Sequence, residues 1–283
     1  MNLYPLVLGI TLSVVPSYAA TETLLERGEY LMNGIVACGN CHTPQTPNGP
    51  APDMELAGQF LIEFEGQLKA FAPNITQDVE TGIGSWTDEQ ITSAIREGKR
   101  PDGTIIGPPM PIALYREMSD RDVEAIVAYL RQVRPVKNAV ERSVFHFPLP
   151  PSYGPLVESV PEVSQDDKVA YGAYLAGPAG HCIECHTPFA DGHPDFENQL
   201  GAGGFAFPGR WGVSVAANIT PHADGISHYG DDELATVIRS GVRPDGSRLF
   251  PPMGVYYYAN ISDADMAAII AYLRQLKPVP FPQ

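Results

Sequence analysis

The pentapeptide Cys38-Gly39-Asn40-Cys41-His42 returns 144 residues further along the chain as Cys182-Ile183-Glu184-Cys185-His186. These two Cys-x-x-Cys-His sequences contain all 4 cysteines of the 283-residue chain. The same offset takes Asn74-Ile75-Thr76 to Asn218-Ile219-Thr220. Because several motifs match at one constant offset, the chain is a tandem duplication of one domain.

Further along the chain the offset falls to 143, since the second copy has lost one residue. This offset aligns Arg100–Gly103 with Arg243–Gly246, and Pro108–Met110 with Pro251–Met253. The duplication therefore predicts a first domain, a proline-rich linker without helical pattern, and a second domain. Their expected bounds are residues 21–135, 136–165 and 166–283.

The first 20 residues form a segment of their own. They are apolar and uncharged from Leu3 to Val15, and the small residues Ser17 and Ala19 suit cleavage by signal peptidase. Residues 1–20 are therefore predicted to be a signal peptide, with a short membrane anchor as the alternative. No later segment is long and apolar enough to span a bilayer, so we expect a periplasmic protein that is soluble or peripherally membrane-associated.

The formal net charge of −15 bears on the choice of partners. A nucleic acid would be repelled by such a surface, so no nucleic-acid partner is expected. The charge suits a basic or mixed-charge protein partner, or it serves solubility alone.

Two cysteines separated by two residues and followed by histidine form the sequence to which c-type haem is attached. Both cysteine sulfurs bond covalently to the haem, and the adjacent histidine binds the iron as proximal ligand. The two motifs therefore predict two covalent haem c groups. The predicted attachment residues are Cys38, Cys41, Cys182 and Cys185, and the predicted proximal ligands are His42 and His186.

Paired cysteines have two other common uses. Four thiolates can bind zinc, but zinc knuckles bring their two pairs much closer together in sequence. A thioredoxin-like dithiol needs a βαβ pattern, which this sequence lacks, and it leaves the histidines unexplained. Haem attachment is therefore the favoured interpretation.

The sixth iron ligand is predicted to be methionine in both copies. Of the 7 methionines, only Met110 and Met253 occupy equivalent positions, each directly after two prolines. Thioether sulfur binds the iron of many c-type haems and raises its reduction potential. Core filling is the alternative for any methionine, and His222 and His228 are alternatives for the second haem.

Two further pairs of residues are candidates for binding the haem propionates. Trp86 aligns with Tyr229, and each can donate a hydrogen bond to a propionate or simply pack against the ring edge. Arg100 and Arg243 can form ion pairs with propionates. Alternatively, their Arg-Pro-Asp-Gly sequences are turns whose charge lies in solvent.

The apolar spacing predicts the same helices in each copy. One helix leads into each haem motif, and a short helix follows over residues 88–97 and 231–240. The clearest helices begin at the N-caps Ser119 and Ser262 and end before Pro135 and Pro278. The remaining segments are rich in glycine and proline without clear periodicity, so we expect an all-α fold.

Several of these sequences resemble the cytochrome c subunits of bacterial periplasmic alcohol, gluconate and related dehydrogenases. They are Gly28–Leu31, Cys38–Thr43, Asn74–Thr76, Thr81–Gln90 and Pro109–Pro111. The resemblance covers most of the mature chain, although the second copy lacks the Trp-Thr-Asp-Glu-Gln run. It implies two tandem class I cytochrome c-like domains, each wrapping one covalent haem with histidine and methionine as ligands.

The resemblance also implies a function in electron transfer. The expected donor is a periplasmic dehydrogenase, and the expected acceptor is an oxidase or another cytochrome of the respiratory chain. Many related subunits carry three haems, and some have a membrane-binding C-terminus. With two motifs, a soluble shuttle or a bound subunit is expected here. The alternative is a dihaem redox enzyme, peroxidase-like or thiosulfate-oxidising, with one open haem.

Overall fold

The computed structural model describes residues 22–46, 49–190, 192–209 and 211–282. The predicted signal peptide, residues 1–20, lies outside the described residues. None of the described helices combines the length and the apolar composition that crossing a bilayer requires.

The three longest helices of the first half begin at polar N-caps. Thr23 and Thr87 each accept a hydrogen bond within a capping box, and Ser119 accepts one from the backbone of Asp122. These caps satisfy N–H groups that have no partner inside the helix. The helices are α1 (Leu24–Asn33), α2 (Cys38–His42), α3 (Asp88–Arg96), α4 (Ile112–Tyr115) and α5 (Asp120–Leu130).

The second half repeats this order of helices. Its first helix continues into a π-helical segment over Leu175–Ala179, and its last helix is capped by Ser262 as the sequence predicts. The helices are α6 (Lys168–Tyr174), α7 (Cys182–Cys185), α8 (Asp231–Ser240), α9 (Val255–Tyr258) and α10 (Asp263–Gln275).

The expectation of an all-α fold is wrong, because strands make up 13% of the structure and helices only 32%. Among the described residues, the largest sheet has three antiparallel strands and the other sheets have two. The strands are β1 (Gln45–Thr46), β2 (Gly49–Pro50), β3 (Gln59–Phe64), β4 (Leu68–Ala72), β5 (Val144–Phe145), β6 (Phe189–Ala190), β7 (His193–Pro194), β8 (Ala206–Gly209) and β9 (Gly212–Val215).

All of these strands except β5 lie in the segments between the haem motifs and the Asn-Ile-Thr sequences, and the composition of β3 and β4 explains why strands form there. Strands β3 and β4 are rich in Phe, Leu and Ile, which favour a pleated, half-buried surface. Gly66, with φ at 71°, lies in the turn between them, where a left-handed backbone favours glycine. Since both strands contain few turn residues, this hairpin was open to prediction from the sequence.

Two glycines allow the first and last helices of each half to cross closely. A β-carbon added to Gly28 would lie 2.0 Å from the carbonyl oxygen of Ala125, and one added to Gly172 would lie 1.9 Å from that of Ala268. Any side chain there would collide with the backbone of the crossing helix. The crossings α1–α5 and α6–α10 thus depend on glycine.

Residues 136–165 form no helix, although all of them are described. They pack against the first half: β5 pairs with β4, and the Tyr153 hydroxyl donates a hydrogen bond to the carbonyl of Ile106 over 2.8 Å. Phe145 and Leu149 lie against Gly107, just before the Pro-Pro-Met sequence. This segment therefore covers the methionine loop of the first half.

Replacing Gly172 with alanine is expected to destabilise the protein by about 1–3 kcal/mol or more, because overpacking forces the crossing helices apart. Thermal unfolding of the haem-loaded protein measures the loss. Gly177→Ala is the matched control, since its added β-carbon would meet only the Ile183 side chain at 3.5 Å, an ordinary contact distance. Equal unfolding temperatures for the two variants would contradict the close crossing.

Candidate haem sites

Each Cys-x-x-Cys-His motif forms one short helix that begins after a left-handed residue. Ala37 precedes α2 with φ at 50°, and His181 precedes α7 with φ at 41°. These sharp entries start each helix at the first cysteine of its motif. A single helical turn therefore carries both cysteines, followed at once by the histidine.

Each motif histidine is held by a hydrogen bond to a backbone carbonyl. The Nδ1 atom of His42 lies 2.8 Å from the oxygen of Pro73, and that of His186 lies 2.7 Å from the oxygen of Ala217. A carbonyl only accepts, so Nδ1 carries the proton and the Nε2 lone pair is free to bind a metal. Burial also lowers the pKa of both imidazoles, which favours this neutral form.

The Asn-Ile-Thr sequences hold those carbonyls in place, a role that the sequence analysis did not assign. The Asn74 side-chain oxygen accepts hydrogen bonds from the backbone N–H of Thr76 over 2.9 Å and from its hydroxyl over 2.8 Å. Its amide nitrogen donates to the carbonyl of Val136 over 2.7 Å. The loop that orients the histidine is therefore fixed to the chain beyond α5.

The second half repeats this arrangement. Asn218 accepts the two hydrogen bonds of Thr220 over 2.8 and 2.7 Å and donates to Val279 over 2.6 Å. The recurrence of the tripeptide at the same offset as the haem motifs was the available signal for this role.

A cavity in the second half brings three of the predicted haem residues together, whereas Cys185 lies outside its lining. Its lining includes Cys182, His186 and Met253, and most of the other lining residues are apolar. The remaining lining residues are Ile35, Ile219, Ile238, Tyr258, Ile261, Ile269 and Leu273. A flat apolar group that forms a thioether and binds a nitrogen and a sulfur ligand fits this donor set.

The two predicted methionine ligands, Met110 and Met253, lie in equivalent loops of the two halves. Both methionines follow a cis proline–proline bond, Pro108–Pro109 or Pro251–Pro252, and both are partly buried against the core. The N–H of Ile112 donates to the carbonyl of Met110 over 2.8 Å, at the start of α4.

The candidate propionate residues lie outside the lining of the second cavity. Arg100 donates to the carbonyl of Ile105 over 3.0 Å and Arg243 to that of Arg248 over 3.4 Å, each within its own turn. Trp86 and Tyr229 are partly buried against the core. A propionate contact for these four residues stays a prediction.

Arg131 and Arg274, to which the sequence assigned no role, fix the positions of Trp86 and Tyr229. Arg131 donates to the carbonyl of Trp86 over 2.7 Å, and its Nε atom lies 2.6 Å from an oxygen of Asp88. Arg274 makes the same contacts with Tyr229 and Asp231. These arginines thereby tie the last helix of each half to the start of α3 or α8.

The cysteine thiols are in environments that disfavour thiolates. Burial raises the pKa of Cys38 to about 12 and the pKa of Cys41 and Cys182 to about 11, and it raises that of Cys185 as well. Among the described residues, no three His, Cys, Asp or Glu side chains cluster as a metal site. These thiols suit thioether formation, which needs no stable thiolate in the folded protein.

Comparison with known sequences decides the family. The chain matches the cytochrome c family profile twice, over residues 25–134 and 169–277, so that one match covers each Cys-x-x-Cys-His motif. The chain belongs to the cytochrome c family. As such, it carries two covalently bound haem c groups, one in each matched domain, and its cytochrome c domains serve electron transfer.

Two relatives of this cytochrome are subunits of dehydrogenases. It is 29% identical to the cytochrome c subunit of alcohol dehydrogenase (quinone) from Gluconobacter oxydans, over 96% of this chain and 59% of the relative. It is also 29% identical to the gluconate 2-dehydrogenase cytochrome c subunit from Pantoea cypripedii, over 97% of this chain and 65% of the relative. The chain thus spans less than two thirds of the length of these relatives.

A shorter relative matches over more of its own length. A dihaem cytochrome c-type protein from Cereibacter sphaeroides is 28% identical, over 86% of this chain and 82% of the relative. The resemblance to dehydrogenase cytochrome subunits predicted from the motifs is confirmed by these matches.

Replacing Asn218 with alanine is expected to lower the free energy of unfolding by about 1–3 kcal/mol, because buried partners in Thr220 and Val279 lose hydrogen bonds. Denaturant unfolding of the haem-loaded protein measures the change. Asn198→Ala is the control, because its side chain bonds Asp195 over 3.0 Å at an exposed site. The proposed role of Asn218 would be wrong if both variants lost the same stability.

Proposed function

We propose that this cytochrome carries single electrons in the periplasm between a dehydrogenase and a respiratory acceptor, an oxidase or another cytochrome. In this proposal each haem iron has a histidine and a methionine as axial ligands, His42 with Met110 and His186 with Met253. The observation that carries the proposal is the second cavity, whose lining contains an attachment cysteine, the proximal histidine and the methionine.

The residues of each half suit a haem that cycles between ferric and ferrous iron. The haem supplies the redox chemistry, and the protein determines its potential and exposure. The carbonyls of Pro73 and Ala217 orient the histidine rings. Aliphatic side chains dominate the lining and exclude water, which disfavours the more highly charged ferric state and raises the potential. A methionine sulfur acts on the potential in the same direction.

The enzyme alternative lacks a supporting observation. A peroxidase needs an acid–base group close to an open iron. Among the described residues that line the second cavity, His186 is the only imidazole and none is a carboxylate. All 4 cysteines belong to haem motifs, which leaves none to bind iron in a thiosulfate-oxidising site.

A dehydrogenase donor is supported by the relatives, two of which are cytochrome subunits of alcohol and gluconate dehydrogenases. The test is to mix the oxidised, haem-loaded protein with a purified dehydrogenase catalytic subunit from the same organism and its substrate. Reduction of both haems that requires the substrate would support the proposal. Absence of reduction, together with consumption of hydrogen peroxide, would favour the enzyme alternative.

Replacing Met253 with alanine is expected to remove the sulfur ligand from one iron only. In the oxidised protein the weak red methionine–iron band should fall to about half, and carbon monoxide should bind one reduced haem per chain. Visible spectroscopy with haem quantification measures both. The control Met54→Leu alters a methionine without a counterpart and should leave the spectrum unchanged. An unaltered spectrum in Met253→Ala would exclude Met253 as a ligand.

Electron transfer from a basic donor should slow as salt is added, because the net charge of −15 attracts such a partner through long-range forces. Stopped-flow reduction should show this between about 0.01 and about 0.15 M ionic strength, where the Debye length falls from about 30 to about 8 Å. A small uncharged reductant is the control and should show no such dependence. A donor rate that rises with salt would contradict electrostatic attraction.

A further inference from the structure

Strand β9 of the second half corresponds to β4 of the first half, but only β4 has a neighbouring strand on both sides. The offset of 144 takes residues 68–71 of β4 to Gly212–Val215, the whole of β9. In the first half β4 lies between β3 and β5, whereas among the described residues β9 pairs with β8 alone. The second half therefore leaves open the strand edge that β5 closes in the first half.

The backbone groups of β9 alternate between its two edges. The N–H of Ala216 donates to the carbonyl of Phe205 over 2.8 Å, and its own carbonyl accepts from the N–H of Gly204 over 2.8 Å. Successive residues of an antiparallel strand alternate in direction, so Val215 and Val213 direct their N–H and C=O groups to the open edge. Their side chains are 52% and 65% exposed.

The first half shows what satisfies such groups. The N–H of Phe71, the counterpart of Val215, donates to the hydroxyl oxygen of Ser143 over 2.9 Å, and its carbonyl accepts from that hydroxyl over 3.1 Å. Strand β5 continues this contact by pairing with β4. The outward groups of β4 are therefore bonded by residues 143–145, and no described residue of the second half takes that place beside β9.

The methionine loop of the second half is bare as well. Phe145 of β5 and Leu149 cover Gly107 in the first half. Phe250, the counterpart of Gly107 at the offset of 143, is 59% exposed. One segment, residues 142–149, thus covers both the strand edge and the loop in the first half, and the second half exposes both.

An ion pair in the first half indicates the charge of a covering segment. Arg142 binds Asp102 over 2.7 Å. Asp245, the counterpart of Asp102, is exposed, and among the described residues the ion pairs of the second half lie elsewhere. A basic residue therefore suits the position opposite Asp245, and the net charge of −15 favours a basic partner as well.

The two turns that contain these aspartates have the same formal charge. Arg248 replaces Ile105, but Val242 replaces Lys99. The turn of the first half accepts Arg142 of the covering segment despite its own cations. The turn of the second half is therefore equally able to accept a basic residue.

A second copy of the chain and a lipid surface fit this face less well. Two chains with a net charge of −15 repel each other, and outward backbone groups of a strand stay unpaired in lipid. Strand β9 contains neither a charged residue nor proline, the residues with which edge strands commonly prevent pairing. The edge thus suits a strand of a different, basic protein.

We propose that β9 and the second methionine loop form a docking site for an extended segment of the dehydrogenase, which adds a strand to β9 and places a basic residue at Asp245 and an apolar residue at Phe250. The identity of the partner rests on the proposed function, whereas the strand addition rests on the contact seen in the first half. Because residues 142–149 occupy the equivalent face of the first half, the dehydrogenase docks on the second half alone.

Amide hydrogen exchange of the full, haem-loaded protein tests the site, alone and with the purified dehydrogenase catalytic subunit from the same organism. In the free protein the amides of Val213 and Val215 should exchange about tenfold faster than that of Phe71 or more, because only Phe71 is bonded. The dehydrogenase should slow both valine amides by a similar factor. Equal exchange of Val215 and Phe71 in the free protein would overturn the open edge, and unchanged exchange with the dehydrogenase would overturn the docking.

Variants test the strand addition itself. Val213→Pro removes an outward N–H without touching the pairing with β8, and the affinity for the dehydrogenase should fall about tenfold. Val213→Thr is the matched control, since it keeps the N–H and the branched side chain, and should bind like the wild type. Phe250→Ala should weaken binding, whereas Leu156→Ala, at a side chain 78% exposed on the first half, should not. Wild-type affinity in both Val213→Pro and Phe250→Ala would contradict the docking site.

Further outcomes identify another occupant or separate this inference from the proposed function. Slowed exchange of Val213 without the dehydrogenase, at high protein concentration or with vesicles of phosphatidylethanolamine and phosphatidylglycerol, would overturn the inference in favour of a second copy or a lipid surface. Reduction of the haems by the dehydrogenase without protection of β9 would contradict the docking site and leave the proposed function intact. Protection without reduction would contradict the proposed function and support the docking site.

Discussion

A histidine can bind iron through Nε2 only if its ring is held in one orientation and its proton lies on Nδ1. One backbone carbonyl meets both requirements in each half, that of Pro73 or Ala217. The following asparagine secures that carbonyl and reaches the chain beyond the last helix. Helix packing, loop geometry and ligand orientation are therefore coupled, and a change far from the iron can alter its coordination.

Equivalent residues of the two halves have different surroundings. Arg27 forms a buried ion pair with Asp122 over 2.8 Å, whereas the second half has Tyr171 at the equivalent position. The first methionine loop is covered by Phe145 and Leu149 over Gly107. Its counterpart in the second half carries Phe250, which is 59% exposed. Equivalent haem motifs thus meet different polarity and solvent, the properties by which a protein sets reduction potential.

The sequence predicted whatever depends on short-range or repeated patterns. The haem motifs, the caps Ser119 and Ser262 and the duplicated methionine loops all follow from spacing within one copy or from comparison of the two. Strands β3 and β4 were not predicted, because they lie in a segment rich in glycine and proline that shows no clear periodicity. The contacts between halves could not be predicted, because Ile35 and its neighbours meet the second site only through the fold. The ligand roles of the methionines remain predictions.

In the proposed function both irons are six-coordinate in a protein that carries electrons. It is tested most directly by the visible spectrum of the intact protein, oxidised and reduced, with haem quantified and carbon monoxide added. We predict two haems per chain, the red methionine–iron band in the oxidised form, and no change with carbon monoxide. One haem per chain, a high-spin signal or ready carbon monoxide binding would contradict it and indicate an open iron.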